Sequence, residues 1–212
     1  MSRKIVRLTL DHLAELPGSC ASCLFWEADP VRRARVSAGE APEVKEAWVS
    51  EVLREWGSCG RVALVDDVPV GHAIYAPAAM VPGAAVFPTA PVSSDAVLLT
   101  SMYVAPALRG GGLGRMLVQG MAKDLIRRRT EVRAVEAFGD TRGRAGCVIP
   151  SDFLGSVGFK TQRAHPTTPR MRMELRSAVS WREEVEQALE RLVGAVRPAP
   201  APEAPLRTPR DA

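Results

Sequence analysis

The sequence predicts a mixed α/β (α+β) domain in which helices and strands alternate around a central sheet. Three observations carry that prediction. Val44, Trp48, Val52 and Trp56 recur in steps of four with Glu, Lys and Arg between them, the pattern of an amphipathic helix. The runs 61–65 and 68–75 flank Asp66-Asp67 and read as a hairpin. A third run, 96–104, is closed by Pro106 and leads through a glycine-rich turn into a helix whose Leu113, Leu117, Met121 and Leu125 form one stripe.

The other elements follow in order. Residues 5–10 form a short strand, and Asp11 caps a helix running to Leu16, stopped by Pro17-Gly18. An apolar segment from Cys20 to Asp29 ends at Pro30, and a mobile polar stretch spans 32–41. Gly57 and Gly60 end the amphipathic helix. Residues 77–94, with four prolines, make a long excursion beside the strand at 96–104. Gly120 lets the stripe helix approach the sheet closely. A strand at 131–138, a loop at 139–146, a short helix at 150–157 and strands from Gly158 and over 170–176 complete the domain. Residues 1–176 therefore form the domain and 177–196 an amphipathic C-terminal helix. Ser180 and Glu183 make a capping box on that helix, and its stripe packs on its own domain or across a homodimer. The proline-rich 197–212 reads as a disordered tail.

Composition narrows the function. The chain has 212 residues, 46% hydrophobic and 25% charged, which is enough for one sizeable core. No apolar run is long enough to span a membrane, and no leader region is evident, so a cytoplasmic protein with no membrane partner is expected. A net charge of +4 is too modest to indicate nucleic acid, and no nucleic-acid motif is present. The basic residues concentrate instead between 107 and 129, where Arg109, Arg115, Lys123, Arg127, Arg128 and Arg129 face one acid, Asp124. That excess suits an anionic ligand. Cys20-Ala21-Ser22-Cys23 has half the spacing of a zinc site, but Cys59, Cys147 and three single histidines do not complete it. Buried thiols are expected there, without a metal and, in a reducing compartment, without disulfides.

The chemistry resides in Met102-Tyr103-Val104-Ala105-Pro106-Ala107-Leu108-Arg109-Gly110-Gly111-Gly112-Leu113-Gly114-Arg115. A strand, a proline stop and glycines before a helix direct several unpaired N–H groups at one point, where a pyrophosphate is stabilised. Glycine leaves the approach clear, and Arg109 and Arg115 add charge-assisted bonds. The spacing is neither a dinucleotide-binding fingerprint nor a Walker loop.

These residues resemble the GNAT (GCN5-related N-acetyltransferase) superfamily, whose Arg/Gln-x-x-Gly-x-Gly/Ala motif is matched by Arg109, Gly112 and Gly114 after Val104-Ala105-Pro106. The resemblance covers about residues 3–176. It implies a GNAT fold, a mixed and mostly antiparallel sheet with a splayed parallel strand pair, and acetyl-CoA as cofactor. The backbone of Met102 and Val104, with Tyr103 between them, is expected to take the pantetheine arm, and Arg109 to Arg115 the pyrophosphate. The implied activity is acyl transfer to an amine of a small molecule or peptide. A second motif is less faithful. Gly158-Phe159 and Phe153 match, but Cys147, Pro150 and Leu154 stand where many members have Asn, Ala and a proton-donating Tyr. Glu136, on the strand expected to splay, and Cys147 are the leading catalytic candidates. Glu27, His72 and His165 are weaker ones. An acyl-CoA sensor without turnover is the alternative reading.

Overall fold

A computed structural model describes residues 1–16, 19–128, 131–143 and 146–175. The chain divides into two units, Met1–Val179 and Ser180–Ala212. The second unit, with the helix and tail expected at 177–212, lies outside the described residues.

The order is β1 (Arg3–Arg7), α1 (Leu10–Ala14), α2 (Pro30–Arg35), α3 (Ala41–Trp56), β2 (Gly60–Val65), β3 (Val68–Pro77), β4 (Ala96–Val104), α4 (Leu113–Arg127), β5 (Ala134–Asp140), β6 (Ile149–Pro150), α5 (Ser151–Ser156), β7 (Lys160–Arg163) and β8 (Arg170–Glu174). The strands lie in the order β1-β2-β3-β4-β5-β8-β7, and β6 pairs with β5. Among the described residues the parallel pairs are β4–β5 and β5–β6. This is the mixed sheet flanked by helices that the sequence implies.

Local chemistry accounts for the hairpin. Asp66 and Asp67 both take positive φ (49° and 65°), as a two-residue hairpin turn matched to strand twist requires. Asp66 also accepts a hydrogen bond from the Ser2 amide at 2.7 Å, which fastens the chain start to the turn. Gly57 caps α3 at φ 79°, its N–H bonding the carbonyls of Val52 and Leu53.

The elements before α3 depart from the sequence reading. β1 ends at Arg7, and Thr9 rather than Asp11 caps α1 through its side chain. Pro30 starts a helix instead of ending a segment. Asp29 Oδ1 accepts from the amides of Val31 and Arg32 at 2.8 and 3.0 Å, and proline is favourable at a first helical position. The stretch expected to be mobile is thus helical through Arg35.

Two cores lie on opposite faces of the sheet. On one face the α4 stripe Leu113, Leu117, Met121 and Leu125 packs on Val97, Leu99, Val135 and Ala137. Each fully buried leucine contributes about 1.5–3 kcal/mol of transfer free energy. Gly120 brings α4 against β1, where a Cβ would lie 2.7 Å from Ile5. On the other face α3 contributes Trp48, Val49 and Val52, packed with Ile74, Leu98 and Phe138. There Trp26, Phe87 and Phe138 stack with centroids 4.2–6.1 Å apart. Trp26 is therefore a core residue (2% exposed). No helix of the described residues is long and apolar enough to cross a membrane.

Candidate active site

The site begins with a single extra residue in β4. β3 pairs Ile74 with Ser101 and Tyr75 with Leu99, which leaves Thr100 bulged. Its hydroxyl donates to the Ile74 carbonyl at 3.0 Å and holds the bulge. At that point β4 leaves β5, since the parallel pairing covers only Ala96–Leu98 against Ala134–Glu136. Beyond it β6 pairs with β5 through Gly139↔Ile149 and Asp140↔Pro150. The result is a fork in which, among the described residues, the end of β4 has no strand partner on the side of β5.

The backbone polarity of that side follows from register. Ala105 donates to Val70 at 2.8 Å, and antiparallel pairing alternates along a strand. The N–H and C=O of Val104 and Met102 therefore point away from β3, into the fork. Arg109 Nε donates to the Val104 carbonyl at 2.9 Å, and its guanidinium lies 5.9 Å from the Tyr103 ring centroid. The groups toward the fork are the two N–H and the Met102 carbonyl, an open edge that an extended amide chain can join.

The glycine turn lies past the end of this strand. Gly110 and Gly112 have φ of 78° and 84°, and a Cβ on either would meet nothing within 4 Å. These two glycines supply the left-handed backbone and leave an open cradle. Gly112 occupies the N-cap of α4 without a side-chain cap, so the first-turn N–H groups have no partner from the helix itself. This arrangement fits a pyrophosphate. The other expected residues divide by role. Gly111 lies beside Arg3, whose Nη1 donates to its carbonyl at 2.8 Å. Leu113 is buried in the core. At Gly114 a Cβ would press Phe153 at 2.9–3.0 Å, so this glycine allows α4 to approach α5. Arg115 donates to the Ser156 carbonyl at 3.1 Å. The sequence offered no sign of Arg3, which reaches the turn from β1.

The catalytic candidates lie on the sheet face opposite α4. Glu136 is fully buried; Arg170 (2.8 Å) and the Ser93 amide (3.1 Å) bond one oxygen, and Arg172 (3.3 Å) the other. Both oxygens are thereby engaged, which suits tying β5 to β8 and to the loop before β4. Cys147 precedes β6 and its Sγ lies 3.1 Å from Cys23 Sγ. Its carbonyl accepts from Trp26 Nε1 at 2.9 Å. The hydrogen bond to Cys23 and burial raise the Cys147 thiol far above its ordinary range. Glu27 is buried in an ion pair with Lys45, a lysine that the helical pattern assigned to the polar face. His72 is fully buried opposite Tyr103, its ring stacked at 5.9 Å. Neither of its ring nitrogens has a hydrogen-bond partner among the described residues, and burial lowers its pKa to about 4. His165 lies elsewhere, its Nδ1 engaged with Thr167 and Thr168. Leu154 is fully buried in the α4-side core. No group of three or more His, Cys, Asp or Glu suited to a metal occurs among the described residues.

Comparison with known proteins agrees with this architecture. The model of the acetyltransferase (GNAT) family matches residues 22–143. No curated protein sequence matches significantly. Among solved structures, an N-acetyltransferase from Staphylococcus aureus Mu50 is similar at 14% identity and TM-score 0.54, covering 82% of this chain and 99% of that one. AAC(6')-Ib in complex with ribostamycin and coenzyme A is 19% identical, with TM-score 0.53 and coverage of 85% and 97%. PaiA N-acetyltransferase from Thermoplasma acidophilum, in complex with coenzyme A, is 13% identical, with TM-score 0.50 and coverage of 82% and 99%. At these identities the structural likeness establishes the fold. With a family model matched over more than half of its length, this chain belongs to the acetyltransferase (GNAT) family.

Proposed function

We propose that the protein transfers an acetyl or similar acyl group from acetyl-CoA to a primary amine by direct attack on the thioester. The supporting observation is the fork continued by an open glycine turn. Acetyl-CoA supplies the acyl group already activated as a thioester. In this reading the N–H groups at the start of α4, with Arg109, Arg115 and Arg3, hold the pyrophosphate. Met102 and Val104 pair with the amide-bearing pantetheine arm as with an added strand, and Tyr103 lies between them. An N–H of the fork stabilises the oxyanion of the transition state.

Proton handling falls to solvent. Glu136 is spent on two arginines and an amide, and Cys147 stays protonated. Leu154, where many relatives carry Tyr, offers no acid, so water protonates the departing thiolate. A groove of about 270 Å³ is lined by Glu27, Arg32, Glu43, Trp48 and Glu51. With Glu27 neutralised by Lys45, its exposed Glu43 and Glu51 outweigh Arg32 and suit an amine acceptor, either a small molecule or a peptide. The test is release of free thiol from acetyl-CoA in the presence of an amine panel. Acceptor-dependent release supports the proposal. Coenzyme A binding without release for any amine favours the sensor reading, which the buried Leu154 keeps in view.

A further inference from the structure

Cys23 and Cys147 are 124 positions apart, yet their sulfurs lie 3.1 Å from each other. A disulfide bond is about 2.0 Å long, so closure asks for a movement of roughly 1 Å. The contact does not depend on one pair of side chains. Trp26, three residues after Cys23, donates to the Cys147 carbonyl at 2.9 Å. Trp26 is itself fixed by stacking on Phe87 and Phe138. The stretch 23–26, ahead of α2, is thus registered against the residues leading into β6, the lip of the fork.

The thiols also differ in chemistry. Cys59 is fully buried, which pushes it up to about 12 and makes it inert. Cys23 and Cys147 are half-buried and within reach of small oxidants. The hydrogen bond shared with Cys147, in which either sulfur can donate, and the Phe25 amide lower the Cys23 thiol below its ordinary range against the effect of burial. Cys23 is therefore the more acidic thiol of the pair and the one that supplies the attacking sulfur. A low-pKa, accessible cysteine next to a resolving one is the arrangement found in redox-responsive sites.

We propose that Cys23 and Cys147 form a reversible disulfide that locks the stretch around Cys23–Trp26 onto the lip of the fork. The oxidant is hydrogen peroxide or a low-molecular-mass disulfide. With peroxide, the Cys23 sulfur attacks one oxygen and becomes a sulfenic acid, releasing water. The Cys147 sulfur, losing its proton, then attacks Cys23 and expels a second water. Two thiols lose two electrons and two protons, and peroxide takes them up. With a small disulfide, the Cys23 thiolate displaces one thiol, and Cys147 releases the second. Reversible pairs of this kind are compatible with a reducing compartment.

The functional consequence rests on the transferase reading; the disulfide itself does not. Locking that stretch restrains the sheet face opposite α4, where the acceptor arrives, and leaves the glycine turn untouched. Oxidation should lower amine-dependent thiol release at least fivefold, reversibly with dithiothreitol, and change coenzyme A affinity less than twofold. The direct test equilibrates the full chain with oxidised glutathione or peroxide, then alkylates the remaining thiols and maps peptides by mass. The expected product joins the Cys23 and Cys147 peptides and leaves Cys20 and Cys59 alkylated. Closing a loop this long should raise the melting temperature by at least about 5 °C. That rise should vanish in both Cys23→Ser and Cys147→Ser, each compared with and without oxidant. A bond mapped to Cys20–Cys23, a persistent glutathione adduct on Cys23, or four free thiols after oxidation would each overturn the proposal. An enzyme inactive in the reduced state, yet forming the expected bond, would count against the transferase reading alone.

Discussion

Replacing Gly112 separates backbone conformation from space at the centre of the turn. Gly112 lies at φ 84° and ψ −3°, and a Cβ there meets no atom within 4 Å. Alanine at this position therefore has only the left-handed backbone to contend with, roughly 1–2 kcal/mol for an L-residue. Its smaller unfolded-state entropy returns about 0.4–1 kcal/mol. Gly112→Ala should thus destabilise the chain by up to about 1.5 kcal/mol, with about 0.8 kcal/mol as the central expectation. Asparagine, which tolerates this region, should cost less. If the turn relaxes to escape the strain, the N–H groups turn away from the phosphates. Coenzyme A affinity should then fall about three- to tenfold, a tenfold loss being ~1.4 kcal/mol. Gly114→Ala behaves differently, because its Cβ meets Phe153 at 2.9 Å. Its loss should be one of packing, relieved by Phe153→Leu. Urea unfolding and calorimetric titration of coenzyme A measure both quantities. Unchanged stability and affinity in Gly112→Ala, or an asparagine variant worse than the alanine one, would refute the assignment of strain.

Other expectations follow from the same geometry. Arg109→Ala should weaken coenzyme A binding about tenfold to a hundredfold, the worth of a charge-assisted bond, and a phosphate-free pantetheine fragment far less; equal losses for both would indicate general disruption. Lys45→Met leaves Glu27 buried without its counter-ion, a loss of ~3–5 kcal/mol. Unfolding in urea should show much of that loss recovered in Lys45→Met/Glu27→Gln. His72 has a folded pKa of about 4 against 6.5 for the ordinary imidazole, so as pH falls the unfolded chain takes up a proton that the folded one refuses. Its contribution, at most about 3 kcal/mol, is complete above pH 6.5 and lost toward pH 4. Stability curves of wild type and His72→Gln should diverge in that window, and parallel curves would contradict the assignment. Leu154→Tyr forces a hydroxyl and extra volume into a closed core, so destabilisation of ~1–3 kcal/mol is expected without gain in turnover. Higher turnover would show that a side-chain acid is wanted there.

What the sequence reveals and conceals follows the range of the interactions. The Asp66-Asp67 hairpin, the α4 stripe and the glycine turn are legible because each is set within a few residues of chain. Thr100 is not, since a bulge exists only relative to the partner strand, yet it creates the fork and decides which face Ser101 and Tyr103 occupy. Lys45 reads as a polar residue of an amphipathic helix until Glu27, from another segment, is placed beside it. Arg3 and Gly111 meet across 108 positions. Glu136 looks like a free carboxylate on a strand, and its arginines arrive only with β8. Pro30 is misread for a local reason: proline marks both helix ends and helix starts, and Asp29 as a cap indicates a start.

The central claim is that the open edge of β4 receives the pantetheine arm while the turn receives the phosphates. Amide hydrogen exchange, followed residue by residue with and without coenzyme A, tests it directly. The Met102 and Val104 amides and those of the first turn of α4 should gain protection on binding. The Ala105 amide, already bonded to Val70, should change little. Coenzyme A bound with Met102 and Val104 still exchanging at their free rate would contradict the account.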